Sequence, residues 1–182
     1  TLWLEETDDA DAATRVLVQT DPRPHRLRIG LYAREGERFV RREQIAVDIG
    51  EERTSIVVPE ADLVLLNDDD LTYAKARLDE RSLTAVEESL SAIDDPLARA
   101  LVWSSLWNAT RDGDLDPRRY LGIVRAHAPL ESNSGLLTGV LANAAFAIRH
   151  FVADAHRDAE QRSWLAASLV AVWDADAGSD AQ

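Results

Sequence analysis

The sequence predicts an α+β protein in two segments, a small antiparallel β-sandwich followed by an antiparallel array of α-helices of the helical-repeat type. Two observations lead to this fold class. Apolar residues alternate with polar ones up to about Leu78, as in half-buried strands. After Asp79 they recur every three or four residues, as on one face of a helix. We therefore expect a β-sandwich domain over residues 1–79 and a helical domain over residues 80–182.

The predicted strands are short and are separated by turn-forming residues. Residues 27–31, 45–49 and 54–58 each place apolar side chains at every second position. Asp, Gly and Pro clusters at 21–24, 34–37, 50–52 and 59–60 supply turns at hairpin spacing. Several short strands joined by tight turns are typical of a small sandwich.

One apolar run ends abruptly in acidic residues. Leu63 to Leu66 predicts a buried strand, and Asn67-Asp68-Asp69-Asp70 predicts a corner in which side chains bond to the backbone. Residues 71–78 then resume an alternating pattern, which predicts one last strand before the first helix.

The helical segment contains five predicted helices, of which the first two are bounded by clear caps. Leu83, Val86, Leu90 and Ile93 form one apolar stripe that opens at Asp79 or Ser82 and closes at residues 94–96. Asp95 caps a second helix with Pro96 in its first turn. The apolar residues of that helix, which include Trp103 and Trp107, cover too wide an arc to be buried on one side only. We therefore expect the helix to be covered on two sides.

Three further helices follow with short links, which favours antiparallel packing. The third begins at Asp116-Pro117 and stops at Pro129, the fourth covers about residues 134–152, and the fifth contains Trp164 and Trp173. The acidic, small-residue segment 174–182 is expected to fray.

Composition excludes several classes of function. The 182 residues carry a formal charge of −13, which repels phosphate backbones and anionic lipids, so we expect neither nucleic-acid nor membrane partners. The sequence has no Cys, which excludes disulfides and thiolate catalysis and fits a reducing, cytoplasmic setting. It also lacks an apolar run of the ~18 residues needed to span a membrane.

The ends of the sequence suggest a piece of a longer protein. It begins Thr1-Leu2-Trp3-Leu4, inside a predicted apolar strand, and contains no Met. Lys75 is the only Lys beside nineteen Arg, a bias that suggests a high-GC bacterium.

Searches for metal sites find no complete set of ligands. None of the four His residues begins His-Glu-x-x-His. His150 and Asp154 could share a helix face, but a helix-end pair is favoured because a site needs three or four ligands. Asp68-Asp69-Asp70 and the series Asp112, Asp114, Asp116 lack the Gly of a calcium loop, so turns or caps are favoured for both.

Searches for phosphate, hydrolase and stacking sites are equally negative. Lys75 follows Ala74 rather than a Gly-rich loop, and no Ser lies in Gly-x-Ser-x-Gly. Gly135 and Gly139 are best explained by close helix packing. Trp103 with Trp107, and Trp164 with Trp173, are expected to be core rather than a stacking platform. No catalytic, cofactor-binding or metal-binding residue is predicted.

Two stretches nevertheless resemble a known family. Arg23-Pro24-His25-Arg26-Leu27-Arg28-Ile29-Gly30-Leu31-Tyr32 and the run from Asp62 through Asn67-Asp68-Asp69-Asp70 to Lys75 are similar to the zinc-dependent aminopeptidase N family, especially its actinobacterial members. Asp95-Pro96-Leu97-Ala98-Arg99 through Trp103, Trp107 and Thr110-Arg111-Asp112 extends the similarity into the helices. Family members usually follow Trp-Leu with Thr-Ala-Gly, where this sequence has Glu5 to Asp9.

The resemblance implies an enzyme of four domains in which a β-sandwich follows the catalytic domain and precedes a helical domain. This chain would be a non-catalytic C-terminal portion, with the sandwich as a spacer and the helices as a wall of the chamber that admits peptides. Zinc would be bound outside this chain, and the partners would be the missing catalytic domain and peptide substrates. The parent would be the enzyme, and this portion alone would not.

Two alternatives are consistent with the same residues. The chain could be an independent protein-binding adaptor, in which the sandwich recognises a partner by its open edge and is joined to a helical stack. It could also be a sugar-binding module that uses exposed Trp side chains.

Overall fold

The computed structural model describes residues 1–7 and 14–179, with side-chain positions for all of these except 167 and 170–179. In this part of the chain, six strands precede five helices, which confirms the predicted α+β layout. The strands are β1 (Leu2–Glu6), β2 (Thr14–Gln19), β3 (His25–Glu35), β4 (Arg38–Ile49), β5 (Arg53–Val57) and β6 (Leu63–Leu66). The helices are α1 (Glu80–Ser89), α2 (Pro96–Asp112), α3 (Pro117–His127), α4 (Ser134–His150) and α5 (Asp154–Ser179).

The strands form two antiparallel sheets of three strands each, in the orders β1-β2-β5 and β4-β3-β6. Buried side chains from both sheets contribute to one apolar core, which contains Leu2, Leu17, Leu27, Ile29, Leu31, Ile49, Val58, Val64 and Leu66. Because one face of each sheet lines a shared core, the two sheets make a sandwich.

The predicted alternation in β3 is confirmed on its inner face. Leu27, Ile29 and Leu31 are at most 3% exposed. Burial of each such side chain contributes about 1.5 to 3 kcal/mol. Tyr32 departs from the pattern, since it is only 2% exposed although it lies on the opposite face of the strand.

The turns lie where the turn-forming residues predict them. Gly36, with φ +61°, lies in the tight turn that joins β3 to β4. Residues 50–52 join β4 of one sheet to β5 of the other. A left-handed conformation at Asp21 (φ +57°) follows the end of β2, where Asp tolerates positive φ better than most residues.

The strand predicted at residues 71–78 is wrong. This segment has no ladder with another strand and makes one isolated parallel bridge between Ala76 and Leu2. The alternating pattern has a different physical cause, because Ala74 and Ala76 pack against the sandwich core. Backbone hydrogen bonds from Leu2 to Lys75 and from Arg77 to Leu2 hold the segment beside β1.

The predicted caps begin the helices. The Asp79 side chain accepts a hydrogen bond of 2.7 Å from the backbone N–H of Ser82, the Asp95 side chain accepts one of 2.9 Å from Leu97, and the Asp116 side chain accepts one of 2.7 Å from Arg118. Each bond satisfies an N–H that has no partner inside its helix.

The remaining helix boundaries agree with the sequence apart from the tail. α1 and α3 each end in a 3₁₀ turn, at Leu90–Ala92 and Ala128–Leu130, and the second turn contains Pro129. Asn133 caps α4 with a bond of 2.9 Å to the Leu136 N–H. The backbone of α5 is helical to Ser179, through most of the segment expected to fray, and residues 180–182 lie outside the described residues.

The chain divides into two compact units, Thr1–Ser105 and Leu106–Gln182, with the division inside α2. The first unit contains the sandwich and α1, and β6 packs against α1. The domain boundary predicted between residues 79 and 80 stays a prediction.

In the second unit, α3, α4 and α5 pack against one another. Glu160 of α5 is only 8% exposed and accepts hydrogen bonds of 3.3 Å from Arg118 and 2.6 Å from Arg125 of α3. Because a nearly buried carboxylate requires charged partners, these bonds fix α5 against α3.

Candidate functional site

A cluster of mutually bonded polar side chains lies at the corner that follows β6. Six side chains from β3, β4 and the corner are bonded to one another, and we call them the polar corner: Arg28, Tyr32, Arg41, Gln44, Asp68 and Asp69. It lies on the face of the β4-β3-β6 sheet opposite the apolar core.

The backbone of the corner explains why the sequence changes from Leu to Asn and Asp. Asn67, Asp69 and Asp70 have φ values of +59°, +69° and +52°, a region in which Asn and Asp are enriched among non-glycine residues. The Asn67 side chain accepts a hydrogen bond of 3.1 Å from the Thr72 N–H and donates one of 2.8 Å to the Thr72 carbonyl. These bonds confirm the predicted corner, in which the Asn67 side chain joins the two ends of the turn.

A β-bulge in β4 brings two polar side chains to the corner. Leu31 pairs with Glu43 and Tyr32 pairs with Arg41, so Arg42 has no partner in the ladder. Residues 41 and 44 would lie on opposite faces of a regular strand, and the extra residue places them on the same face. Arg41 and Gln44 can therefore both reach Asp68.

Asp68 is the centre of the polar corner. It is 1% exposed, and one carboxylate oxygen accepts a hydrogen bond of 3.0 Å from the Tyr32 hydroxyl. The other oxygen accepts bonds of 2.9 Å from Arg41 and 3.1 Å from Gln44. A buried carboxylate is stable only with such partners, and here both oxygens are satisfied.

Gly30 supplies the space that Asp68 occupies. A Cβ atom at this position would lie 2.4 Å from Oδ2 of Asp68 and 2.8 Å from Cε2 of Tyr32. Any side chain larger than hydrogen would therefore displace the carboxylate from its donors.

The electrostatics of the polar corner favour fixed protonation states. Burial, and next the Asp68 carboxylate, raise the pKa of the Tyr32 hydroxyl, while the hydrogen bonds that Arg41 donates to Asp68 and Asp69 raise the pKa of Arg41. Tyr32 thus stays neutral and Arg41 stays charged near neutral pH. A general acid or base needs a pKa near the working pH, so these two groups suit structural stabilisation rather than proton transfer.

Asp69 gives the polar corner an acid-dependent contribution to stability. The Gln44 amide, then Arg28 and Arg41, lower the pKa of Asp69 to about 2. Because the folded pKa is depressed, the stabilisation is present above the unfolded value of about 4 and is lost as pH falls from about 4 to about 2. Since 27% of the side chain is exposed to screening solvent, we expect Asp69→Asn to cost about 1 to 2 kcal/mol at pH 7.

Urea denaturation at a series of pH values measures this difference. Asn tolerates the positive φ at position 69, so the backbone is not the cause of the loss. The stability gap between wild type and variant should close by pH 2, and a gap that is constant from pH 7 to pH 2 would contradict the assignment.

The acidic series considered as calcium loops are turns and caps, as favoured from the sequence. Asp68 and Asp69 bind protein donors within the polar corner, and Asp116 is the cap of α3. Asp112 ends α2, where Gly113 turns the chain with φ +85°.

Three of the histidines lie on different elements and have different neighbours. His25 Nδ1 lies 2.7 Å from the Thr72 hydroxyl, His127 is 5% exposed, and the His150 ring stacks 4.3 Å from the Phe146 ring. His150 ends α4 and Asp154 begins α5, so the shared helix face that a metal pair would need does not exist. Among the side chains that the structure describes, no group of three His, Cys, Asp or Glu could hold a metal ion.

Of the tryptophans predicted as core, Trp103 is confirmed as buried, and Trp107 is half-buried. Trp103 is 3% exposed. Trp107 packs in an aromatic cluster with Tyr120, Phe146 and Phe151 at ring distances of 5.9, 5.9 and 6.1 Å. Trp164 is partly buried, and the side chain of Trp173 lies outside the described residues.

The helix-packing explanation of Gly135 and Gly139 is wrong. Both residues are exposed on α4, and a Cβ atom at Gly139 would meet no described atom within 4 Å. We have no structural explanation for a glycine at position 139.

Sequence reasoning missed the partners of the acidic corner. Arg41 is exposed and Gln44 is half-buried, so the sequence around them reads as an ordinary charged strand. Only the bulge, which the sequence does not indicate, places both side chains on one face. One signal was present in the sequence. Gly30 and Tyr32 lie on the outer face of a predicted strand, where polar residues are expected, and a Gly within a strand often marks a close approach by another group.

The first unit also contains a cavity of about 310 Å³ with a charged lining. Arg15 pairs with Glu6 at 3.7 Å and Arg81 pairs with Glu60 at 2.8 Å, so cations and carboxylates of this lining are bonded to each other. The lining mixes apolar side chains such as Leu4, Val58 and Val64 with these paired charges, and we assign no ligand to it.

Comparison with known proteins bears out the resemblance. Residues 63–182 match the ERAP1-like C-terminal domain family. An aminopeptidase N from Streptomyces lividans is 40% identical over 165 residues, which cover 88% of this chain and 19% of the relative. The chain thus spans about a fifth of the length of the curated relative it matches, and an independent adaptor is not favoured. No described helix has the length and apolarity required to cross a membrane. From the match over most of its length, the chain belongs to the ERAP1-like C-terminal domain family.

Proposed function

We propose that this chain is the non-catalytic C-terminal portion of a longer zinc aminopeptidase that removes N-terminal amino acids from peptides. The observation that carries the proposal is the 40% identity to an aminopeptidase N of which the chain covers only 19%. The match to a family described as a C-terminal domain supports the position of this portion within the longer protein.

The sandwich at residues 1–79 acts as a rigid spacer and the helices at residues 80–182 form a wall of the peptide chamber. Rigidity is supported by the apolar core shared by the two sheets and by the bonded polar corner on the opposite face of one of them. The partners are the catalytic domain of the same polypeptide and, through it, peptide substrates.

Zinc is held outside this chain. The four histidines of the sequence include no His-Glu-x-x-His, and His25, His127 and His150 belong to three different elements, β3, α3 and α4. These residues do not fit a zinc site, so no step of peptide hydrolysis is assigned to them. The absence of Cys supports a cytoplasmic location for the longer protein.

A metal and activity measurement on the purified chain tests the proposal. The chain is produced in a host that lacks its own aminopeptidase N, loaded with zinc, dialysed and assayed with an aminoacyl nitroanilide. We expect no stoichiometric zinc and no turnover, whereas the product of the complete reading frame should bind zinc and hydrolyse the substrate.

Two results would overturn the proposal. One is chelator-sensitive turnover by the 182-residue chain itself. The other is a complete reading frame that encodes only about this chain, which would leave no place for the catalytic domain.

A further inference from the structure

A loop of the first unit presents an aromatic side chain entirely to solvent. Tyr73 has a relative exposure of 103%, the highest among the large apolar and aromatic side chains that the structure describes as exposed. Leu71, two residues earlier in the same loop, is 51% exposed. Exposed apolar side chains grouped in this way are more informative than single ones.

The backbone of this loop is fixed on both sides of Tyr73. Before it, Thr72 is bonded through its N–H and carbonyl to the Asn67 side chain, and its hydroxyl lies 2.7 Å from His25. After it, Leu2 donates a bond of 2.7 Å to the Lys75 carbonyl and accepts one of 2.8 Å from Arg77. A side chain held by a fixed backbone loses less conformational entropy when a partner binds.

The packing of the loop also keeps Tyr73 outside. Ala74 and Ala76 pack against the sandwich core, which leaves Tyr73, Lys75 and Arg77 on the alternate positions. The Arg77 guanidinium lies 5.5 Å from the ring centre of Trp3 on β1. We call the exposed side chains of Leu71 and Tyr73, together with the Arg77–Trp3 pair that follows them along the same segment, the Tyr73 surface.

The start of the chain lies beside this surface. The Leu2 backbone is bonded to Lys75 and Arg77, so Thr1 adjoins the same segment. The relative with 40% identity is about five times longer than the matched region, since that region covers 19% of it. In a longer protein, residues that precede Thr1 would enter next to Tyr73.

We propose that the Tyr73 surface is the contact face for the polypeptide that precedes Thr1, and this proposal rests on the proposed function above. Aromatic residues are enriched at such contacts, and Tyr73 presents an aromatic ring from a backbone that hydrogen bonds hold on both sides. The partner face is expected to present an apolar pocket that receives the Tyr73 ring.

Photocrosslinking in the protein encoded by the complete reading frame tests this assignment. The photoreactive amino acid p-benzoyl-phenylalanine is placed at position 73 and, as the control, at position 57, because Val57 is 59% exposed on β5 at the other edge of the same sheet. We expect crosslinks from position 73, mapped by mass spectrometry, to residues before Thr1, with a yield several times that from position 57.

The failures of the two proposals are distinguishable. A native product of about 20 kDa would overturn the proposed function and this inference together. A longer product whose position-73 crosslinks are absent, or fall on a second copy or on the helices, would overturn the inference alone.

A second variant separates docking from local folding. Because Tyr73 is fully exposed, Tyr73→Ala should leave the Tm of the 182-residue chain unchanged within about 1 °C. In the longer protein the same variant should lower the unfolding temperature by about 2 °C or more, since an interdomain contact is lost. Equal shifts in both proteins would contradict docking.

Discussion

Replacing Asp68 by Ala is expected to destabilise the chain by about 2 to 4 kcal/mol, since it leaves the buried Tyr32 hydroxyl without its acceptor and removes one carboxylate partner of the partly exposed Arg41. Asp68 is 1% exposed and accepts hydrogen bonds from Tyr32, Arg41 and Gln44. Tyr32 is itself buried at 2% exposure and would keep a hydroxyl without an acceptor. Because a whole domain has a net stability of about 5 to 15 kcal/mol, this loss is large.

Urea denaturation followed by tryptophan fluorescence measures the loss, and Asp48→Ala is the matched control. Asp48 pairs with Arg26 at 3.5 Å on the same sheet, but the two side chains are 72% and 78% exposed, so we expect less than about 0.5 kcal/mol. Asp68→Asn keeps the shape and one acceptor and should be intermediate. Equal effects of Asp68→Ala and Asp48→Ala would show that the polar corner does not stabilise the fold.

The strands were predictable where the alternation of apolar residues has a single physical cause, the burial of one sheet face. In β3 the inner residues are buried, and in β5 they are half-buried, because the pattern of period two reflects a core on one side. At residues 71–78 the same pattern arises from Ala74 and Ala76 packing on the core without a neighbouring strand. Periodicity reports which side chains are buried and not whether a backbone partner exists.

The polar corner was predictable only in part. Asn67 to Asp70 identify a turn because Asn and Asp tolerate positive φ and bond to the backbone. That Asp68 is buried depends on the bulge at Arg42 and on the missing side chain of Gly30. Both are long-range features, since they join residues about 25 to 40 positions apart in the sequence.

Replacing Trp103 by Ala is expected to cost about 3 to 5 kcal/mol, the range for large-to-small changes of buried aromatic residues. The side chain is 3% exposed, and its Nε1–H has no hydrogen-bond partner among the described residues. Trp103→Phe removes this unsatisfied donor while it retains most of the apolar surface. Its expected cost is therefore smaller, about 0 to 2 kcal/mol, because relief of the buried N–H offsets the lost contacts.

The order of these losses decides between a core residue and a stacking platform. Leu97→Ala is the control on the same helix, where a side chain 42% exposed should cost about 1 kcal/mol or less. Denaturation curves recorded by circular dichroism keep the measurement independent of the removed fluorophore. A platform for sugars would give the opposite result, with little change in stability for Trp103→Ala and loss of fluorescence quenching by oligosaccharides. Since 97% of the Trp103 surface is already covered within the protein, no ring face is left for a ligand, and we expect the large loss of stability.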